Sequence, residues 1–243
     1  MFERYINQIN IPQIGSEGQE KLGMSSVLVV GAGGLGCPII TYLASAGVGR
    51  IGILDSDTVA LSNLNRQFLH NTNDIGKLKT DSAKEKISGL NNEIKIETYD
   101  IHLNESNAAN IFNGYDIVLG AVDSYETRFF INKACVTLSI PYIDGGINGF
   151  NGCVLFSNPP DTPCLKCIYP ETSAEKKTIG VRNTTGVLGT TAGATGTIQA
   201  NIALIYLLGL PNPLENKLLL YDGLRINIDH IEIKRNENCP VCN

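Results

Sequence analysis

Residues 27–36 read VLVVGAGGLG, a run of four apolar residues that leads directly into a cluster of glycines. A short apolar run rich in β-branched residues is typical of a parallel strand that is buried on both faces of a sheet. Gly31, Gly33 and Gly36 fit the pattern G-x-G-x-x-G, and Gly34 adds a further glycine. Because glycine lets backbone N–H groups approach a ligand closely, the stretch predicts a phosphate-binding turn.

A helix over residues 35–46 should follow this turn, and the positive end of its dipole would attract an anion. The alternative is a close-packed turn between a strand and a helix, with no ligand. That alternative stays open here because G-x-G-x-x-G alone is a weak signal.

Composition limits the class of protein. The chain has 243 residues, a hydrophobic fraction of 43% and a formal net charge of -5. This length suits one large α/β domain, so residues 1–243 are interpreted as a single domain. The acidic balance argues against nucleic acid or an anionic membrane as a partner, and no apolar run approaches the roughly 18 residues of a membrane helix. We therefore expect a cytoplasmic protein with no nucleic-acid or membrane partner.

The pattern of elements predicts the fold class. Strands and helices alternate along the first half of the chain, whereas the second half contains strands that follow one another more closely. This order predicts an α/β fold with a Rossmann-like sheet, parallel in the first half and antiparallel in the second, with helices on both faces. Residues 1–23 are expected to form an irregular arm and a short helix from Ser16 to Gly23. Residues 164–185 are expected to form an exposed crossover loop.

Polar side chains follow the predicted second strand, Arg50–Leu54. Asp55 ends this strand about 20 residues after the glycines, where an acidic residue binds a ribose hydroxyl in dinucleotide enzymes. Asp57, Asn63, Arg66 and Gln67 come next and should lie beside the same nucleotide.

Cations and a carboxylate complete this candidate site. Lys77 and Lys79 stand at the start of a predicted helix, and several cations suit a triphosphate better than adenosine monophosphate or NAD. Asp123 lies just past a predicted strand, where a carboxylate is a good ligand for Mg²⁺. Structural alternatives are a solvated helix surface for Lys79, a helix cap or surface ion pair for Asn63 and Arg66, and a helix N-cap for Asp123.

Four cysteines form two C-x-x-C pairs, Cys164 with Cys167 and Cys239 with Cys242. Four thiolates form a closed tetrahedral set for Zn²⁺, so a structural zinc site in the tail at residues 239–242 is predicted. The alternative is a redox dithiol in one or both pairs.

Taken together, these residues resemble the MoeB/ThiF/HesA family, the bacterial relatives of ubiquitin-activating enzymes. The resemblance rests on GAGGLGCP, DSDTVALSNLNRQF, GKLKTDSA, AVDSYETR and the two C-x-x-C pairs in that order, and it covers nearly the whole chain. It implies an enzyme that uses ATP and Mg²⁺ to adenylate a C-terminal glycine carboxylate, usually of a ubiquitin-like sulfur-carrier protein. The products would be an acyl-adenylate and pyrophosphate.

The resemblance also implies a role for each candidate residue. Arg66, Lys79 and Asp123 would be the catalytic groups, because this chemistry needs positioning and charge stabilisation rather than a protein nucleophile. It also implies a homodimer in which an arm from one subunit reaches the ATP of the other. The implied contacts are the phosphate-side turn of Gly31, Gly33, Gly34 and Gly36, the ribose ligand Asp55, the phosphate-positioning groups Asn63, Arg66 and Lys79, the Mg²⁺ ligand Asp123, and the zinc ligands Cys164, Cys167, Cys239 and Cys242.

Two departures from the family pattern leave other functions open. Asn7 stands where the family arm usually has its second arginine, and residues 181–186 contain no cysteine, which argues against a covalent thioester at that loop. An enzyme that adenylates a ribosomal peptide or another small carboxylate is therefore an alternative, as is a non-catalytic nucleotide-binding dimer. An NAD-dependent dehydrogenase would account for the glycine turn and Asp55 alone.

Overall fold

A computed structural model describes residues 3–169 and 186–243. Eight strands in these residues form one sheet in the order β3-β2-β1-β4-β5-β6-β7-β8. The pairs among β1 to β5 are parallel, and those from β5 to β8 are antiparallel. The predicted α/β fold, parallel in its first half and antiparallel in its second, is therefore confirmed. The strands are β1 Ser26–Val30, β2 Arg50–Leu54, β3 Lys95–Tyr99, β4 Ile117–Gly120, β5 Tyr142–Asn148, β6 Asn151–Ser157, β7 Lys217–Asp222 and β8 Asn227–Glu232.

The α-helices of the described residues cover both faces of this sheet. Because successive side chains of a strand point to opposite faces, β1 contributes to two cores. Val27 and Val29 pack with α2, α3, α4 and α8, whereas Leu28 and Val30 pack with α5 and α6. The helices are α1 Ile6–Ile9, α2 Gly15–Met24, α3 Gly36–Ser45, α4 Lys79–Leu90, α5 Glu105–Phe112, α6 Tyr125–Leu138, α7 Leu165–Ile168 and α8 Gly189–Leu208.

The N-terminal arm differs from its prediction. Glu3–Tyr5 form a 3-10 turn and α1 follows it directly, so the expectation of an irregular arm is wrong for residues 3–9, whereas residues 10–14 form turns. Tyr5 is buried, and its hydroxyl accepts a 2.8 Å hydrogen bond from the side-chain amide of Asn91. This contact joins residues far apart in the sequence, so no local pattern could indicate it. The next helix begins at Gly15 rather than Ser16 and continues to Met24.

The first four strands end at one edge of the sheet. Val30 is aligned with Leu54 of β2 and with Gly120 of β4, and Leu54 is aligned with Tyr99 of β3. The segments that follow these strands therefore lie side by side, which is where open α/β sheets bind ligands.

Two predictions remain untested by the fold. The single-domain organisation stays a prediction, and most of the crossover loop expected at residues 164–185 lies outside the described residues. In the described ranges, no helix has the length and apolar character needed to cross a membrane.

Candidate active site

The glycine turn after β1 closes against the end of β4. Gly31 has a φ of +105°, and a Cβ there would lie 2.5 Å from the carbonyl oxygen of Ala121. A Cβ on Gly36 would lie 1.9 Å from the carbonyl oxygen of Gly31. Packing alone therefore requires glycine at these two positions, as the ligand-free alternative predicts.

The other two glycines are not required by packing to the same degree. A Cβ on Gly33 would lie 3.4 Å from Nε2 of Gln67, and one on Gly34 would lie 3.5 Å from Cγ of Arg66. The backbone of the turn thus lies next to two of the predicted nucleotide-binding side chains. Gln67 is buried, and among the residues that the structure describes its Oε1 has no hydrogen-bond partner. Buried polar atoms normally have a partner, so this unpaired oxygen suits a site that receives a polar ligand.

Asp55 links the turn to β2. Its Oδ2 accepts a 2.7 Å hydrogen bond from the N–H of Ala32, and its Oδ1 accepts a 2.9 Å bond from the N–H of Asp57. The carboxylate is buried at the edge where β1 and β2 end. Backbone hydrogen bonds therefore hold it in place beside the glycine turn.

Lys79 forms a charged cluster with Asp55 and Asp57. Its Nζ lies 2.8 Å from Oδ2 of Asp57 and 4.0 Å from Oδ2 of Asp55, and its side chain is 7% exposed. The interpretation of Lys79 as a solvated helix surface is therefore wrong, since two carboxylates replace the water around the ammonium. The lysine two positions earlier, Lys77, instead pairs with Asp74 and is 46% exposed.

Asn63 and Arg66 make local contacts. Oδ1 of Asn63 accepts a hydrogen bond from the N–H of Ala60 at 3.1 Å, which is the capping role proposed as its structural alternative. The guanidinium of Arg66 donates to the carbonyl of Ser62 and to Oδ1 of Asn65, each at 3.0 Å. These bonds hold the arginine beside Gly34 without an acidic partner among the described residues.

Asp123 is exposed just beyond the end of β4. The N-cap of α6 is Ser124, whose Oγ accepts from the N–H of Thr127 at 3.4 Å. The interpretation of Asp123 as the helix cap is therefore wrong. Asp123 lies between the end of β4 and Ser124, and its carboxylate does not cap α6.

The sequence did not single out His70, which also supports the turn. Nε2 of His70 lies 3.0 Å from the carbonyl oxygen of Ala32, and Nδ1 lies 2.9 Å from Oγ of Ser82. Since a carbonyl only accepts, Nε2 carries the proton and Nδ1 accepts from the serine. Burial lowers the pKa of His70 and so favours this neutral form. A lone histidine after Phe68 and Leu69 carries no pattern that would have indicated this role.

A second missed group holds the start of α6 against the sheet. Nε of Arg128 donates to Oδ1 of Asp144 at 2.9 Å, and a guanidinium Nη donates to the other oxygen. Tyr142 also donates to Asp144, at 2.7 Å. Asp144 is aligned with Gly120, so this buried ion pair anchors the helix that follows Asp123. Arginine side chains are rarely buried, so the sequence gave no reason to expect this ion pair.

The four cysteines meet in a separate cluster. The Sγ atoms of Cys164 and Cys239 are 3.7 Å apart, those of Cys164 and Cys167 are 3.9 Å apart, and those of Cys167 and Cys242 are 3.4 Å apart. Tetrahedral Zn–S bonds of about 2.3 Å place the sulfurs roughly 3.8 Å apart, so the cluster fits zinc.

The environment of one thiol also favours a metal ligand. Burial opposes ionisation of Cys239, but hydrogen bonds from the backbone of Cys242 and Val241 and from neighbouring thiols lower its pKa to about 7. Burial raises the pKa of Cys164 and of Cys167, so zinc, which binds the thiolate form, would displace a proton from each of these two thiols.

Comparison with known proteins identifies the family. A family model described as the ThiF family matches residues 5–241. The chain belongs to the ThiF family. The match covers the glycine turn, the charged cluster and three of the four cysteines.

Named relatives of this ThiF-family chain are activating enzymes. A sulfur carrier protein adenylyltransferase from Thermus thermophilus is 40% identical over 245 residues, which cover 99% of this chain and 90% of that protein. The SAMP-activating enzyme E1 of Haloferax volcanii is 39% identical over 240 residues, covering 99% of this chain and 88% of that protein. The adenylyltransferase and sulfurtransferase MOCS3 of Culex quinquefasciatus is 40% identical, and the chain spans about half of its length, 55%. The prediction of an adenylyltransferase of this family is confirmed.

Solved structures agree with the fold. Escherichia coli MccB with ATP has a TM-score of 0.81 and is 25% identical, covering 93% of this chain and 68% of MccB. MccB with AMPCPP and selenomethionine-labelled MccA has a TM-score of 0.83 at 25% identity, covering 95% of this chain and 71% of MccB.

Proposed function

We propose that this ThiF-family protein uses ATP and Mg²⁺ to adenylate the C-terminal carboxylate of a ubiquitin-like sulfur-carrier protein. The observation that carries the proposal is the buried ammonium of Lys79, held by Asp57 and Asp55 beside the glycine turn. The similarity to relatives named as a sulfur carrier protein adenylyltransferase and a SAMP-activating enzyme supports the choice of substrate.

The reaction joins a carboxylate to a nucleotide. A carboxylate oxygen of the carrier attacks the α-phosphorus of ATP, and the bond between that phosphorus and the pyrophosphate oxygen breaks. The products are an acyl-adenylate and pyrophosphate. Negative charge grows on the phosphate oxygens as the bond breaks, so fixed cations lower the barrier. Arg66 and Lys79 are the proposed cations, and Gly33 and Gly34 let the backbone approach the phosphates.

Several neighbours would place the nucleotide. Asp55 would accept from a ribose hydroxyl while its backbone bonds hold it in position. Asn63 and Gln67 would contact the phosphates or ribose from the segment that also carries Arg66. Asp57 would hold Lys79 until the phosphates compete for the ammonium.

Two metal ions belong to the proposal. Asp123 would be the protein ligand for Mg²⁺, which when bound would offset charge on the departing pyrophosphate. The four cysteines would hold Zn²⁺ in a closed site, which gives that metal a structural role in tying the C-terminal tail to α7.

The proposed assembly is a homodimer in which the arm of each subunit serves the other site. Nη1 of Arg4 donates to the carbonyl of Leu90 at 2.9 Å. Leu90 ends the 12-residue helix α4, whereas Lys79 begins it. The two ends are about 18 Å apart, so Arg4 does not reach the site of its own chain. Asn7 is exposed in the same arm, where it could face a second copy.

The test is exchange of labelled pyrophosphate into ATP, measured with a panel of ubiquitin-fold carriers that end in Gly-Gly. Exchange should appear with a matching carrier and disappear when its last glycine is removed. Because removal of that glycine leaves the carrier fold intact, it is the matched control. No exchange with any carrier, from protein that binds Mg²⁺ and ATP, would contradict the proposal.

A second substrate class has specific support. The MccB structures similar to this chain include one with AMPCPP and MccA. Adenylation of a short peptide with a C-terminal carboxylate is therefore the second candidate. Mass spectrometry of a peptide incubated with the protein and ATP would detect the adenylated product. An adenylated peptide in reactions where no ubiquitin-fold carrier is turned over would favour this candidate.

A further inference from the structure

His70 lies where three segments of the chain meet. Its ring joins two of them, because Nε2 donates to the carbonyl of Ala32 at 3.0 Å and Nδ1 accepts from Oγ of Ser82 at 2.9 Å. Its backbone N–H donates to the carbonyl of Gln67 at 3.0 Å. His70 is buried, so these bonds are made away from bulk water. One residue therefore joins the glycine turn, the connection between β2 and α4, and α4 itself.

These three segments carry the groups that were proposed to bind phosphates, so this inference rests on the proposed function. Gly33 belongs to the glycine turn, and Arg66 lies four positions before His70 in the connection. Lys79 and Ser82 are three positions apart in α4, and residues at that spacing lie on the same face of a helix. His70 thus contacts each segment close to the group that the segment contributes.

The contact with the turn sets the direction of a backbone donor. The N–H of Ala32 donates to Oδ2 of Asp55 at 2.7 Å, while the carbonyl of Ala32 accepts from His70. The peptide bond between Ala32 and Gly33 is trans, and the C=O and N–H of a trans peptide point in opposite directions. The N–H of Gly33 therefore points away from His70. Among the residues that the structure describes, it has no hydrogen-bond partner.

We propose that His70 is a positioning residue, which holds the peptide between Ala32 and Gly33 so that the N–H of Gly33 is available to a phosphate of bound ATP. Glycine at position 33 resists rotation of this peptide less than any other residue, so the orientation must be imposed from outside the turn. A rotated peptide would present a carbonyl oxygen where the N–H had been, and that oxygen would repel a phosphate.

Two substitutions of His70 separate its two ring contacts. An asparagine side chain reaches the position of Nδ1 but not that of Nε2, whereas a glutamine side chain is long enough to place an N–H near Nε2. Binding of inorganic tripolyphosphate, of ATP with Mg²⁺ and of adenosine is measured on the full chain. His70→Asn should weaken tripolyphosphate and ATP by roughly tenfold, because a hydrogen bond to a charged group is lost, and should leave adenosine unchanged. His70→Gln should retain most of the affinity for tripolyphosphate.

Further variants separate positioning from general packing. Ser82→Ala removes the partner of Nδ1 and leaves the bond from Nε2 to Ala32, so it should show a smaller loss of tripolyphosphate affinity than His70→Asn. His230→Asn is the matched control, because it makes the same change at an exposed histidine of β8. It should leave binding of all three ligands at wild-type values. Urea unfolding of each variant measures the structural cost separately.

Unchanged tripolyphosphate affinity in a folded His70→Asn protein would overturn the proposal. An equal loss for tripolyphosphate and adenosine would overturn it too, since the ring would then support packing in general. If His70→Asn does not fold, Ser82→Ala decides: a loss confined to the phosphate ligands supports the proposal, and any other result contradicts it. The proposed function fails separately, if wild-type protein does not bind ATP with Mg²⁺.

Discussion

Replacing Lys79 with methionine removes the buried ammonium and keeps an unbranched side chain. The Nζ that is lost lies 2.8 Å from Asp57 and 4.0 Å from Asp55, in a side chain only 7% exposed. A preorganised charge in a water-excluded site contributes about 3 kcal/mol to stabilising developing charge, which corresponds to roughly a hundredfold in rate. We therefore expect carrier-dependent pyrophosphate exchange to fall by about two orders of magnitude.

The same substitution has a smaller cost in stability. Asp55 keeps its two backbone donors, the N–H groups of Ala32 and Asp57. The free energy of unfolding should therefore fall by about 1–3 kcal/mol rather than by the full 3–5 kcal/mol of a buried charge left with no partner. The side chain of Asp57 is 66% exposed. Losing its ion pair with Lys79 should therefore cost little stability, because water can solvate the carboxylate instead.

The assay is carrier-dependent exchange at saturating ATP, paired with urea unfolding of each variant. Lys84→Met is the matched control, since Lys84 is an exposed lysine of the same helix. It should leave both exchange and unfolding near wild-type values. A folded Lys79→Met protein with exchange within about threefold of wild type would refute the assigned role of the ammonium.

Three further predictions concern other parts of the chain. Asp123→Asn should abolish Mg²⁺-dependent exchange, because the proposed metal ligand is removed. The free energy of unfolding should change little, because the carboxylate is exposed. Near-normal exchange over a Mg²⁺ titration would show that the Mg²⁺ ligand is another residue. Cys239→Ser should lower the bound zinc found by metal analysis and lower Tm, and full zinc content would argue against the four-thiolate site. Hydrogen bonds from Lys95, then Tyr115, lower the pKa of Glu97 from 4.5 to about 2. The stabilisation from ionised Glu97 is present above pH 4.5 and is lost as the pH falls towards 2. Glu97→Gln should therefore lose less stability than wild type between these pH values. Parallel curves of unfolding free energy against pH for the two proteins would contradict this.

The sheet could be predicted because each of its signals is local. The run before Gly31 is buried on both faces, and its alternate residues enter two cores, so apolar composition alone identified β1. The arm could not be predicted in this way. Tyr5 is fixed by Asn91 and lies against Gly47, and neither contact leaves a pattern near Tyr5.

The site was predicted as a set of residue types rather than as contacts. A sequence places Lys79 at a helix start, but its burial depends on Asp57, which is 22 positions away. Ser124 rather than Asp123 caps α6. The two residues are adjacent, and a sequence pattern does not locate a helix end to within one residue. Arg128 and Asp144 were not predicted as a pair. A buried ion pair can be recognised only once α6 and β5, which carry the two residues, have been placed against each other.

A crystal structure with Mg²⁺ and a non-hydrolysable ATP analogue is the measurement that addresses the shared premise of these proposals. We expect the triphosphate at the glycine turn, within contact of Lys79 and Arg66, the metal on Asp123 and the ribose at Asp55. An analogue whose phosphates lie away from Lys79 and Asp123 would contradict the account, and the glycine turn would then be a packing feature only.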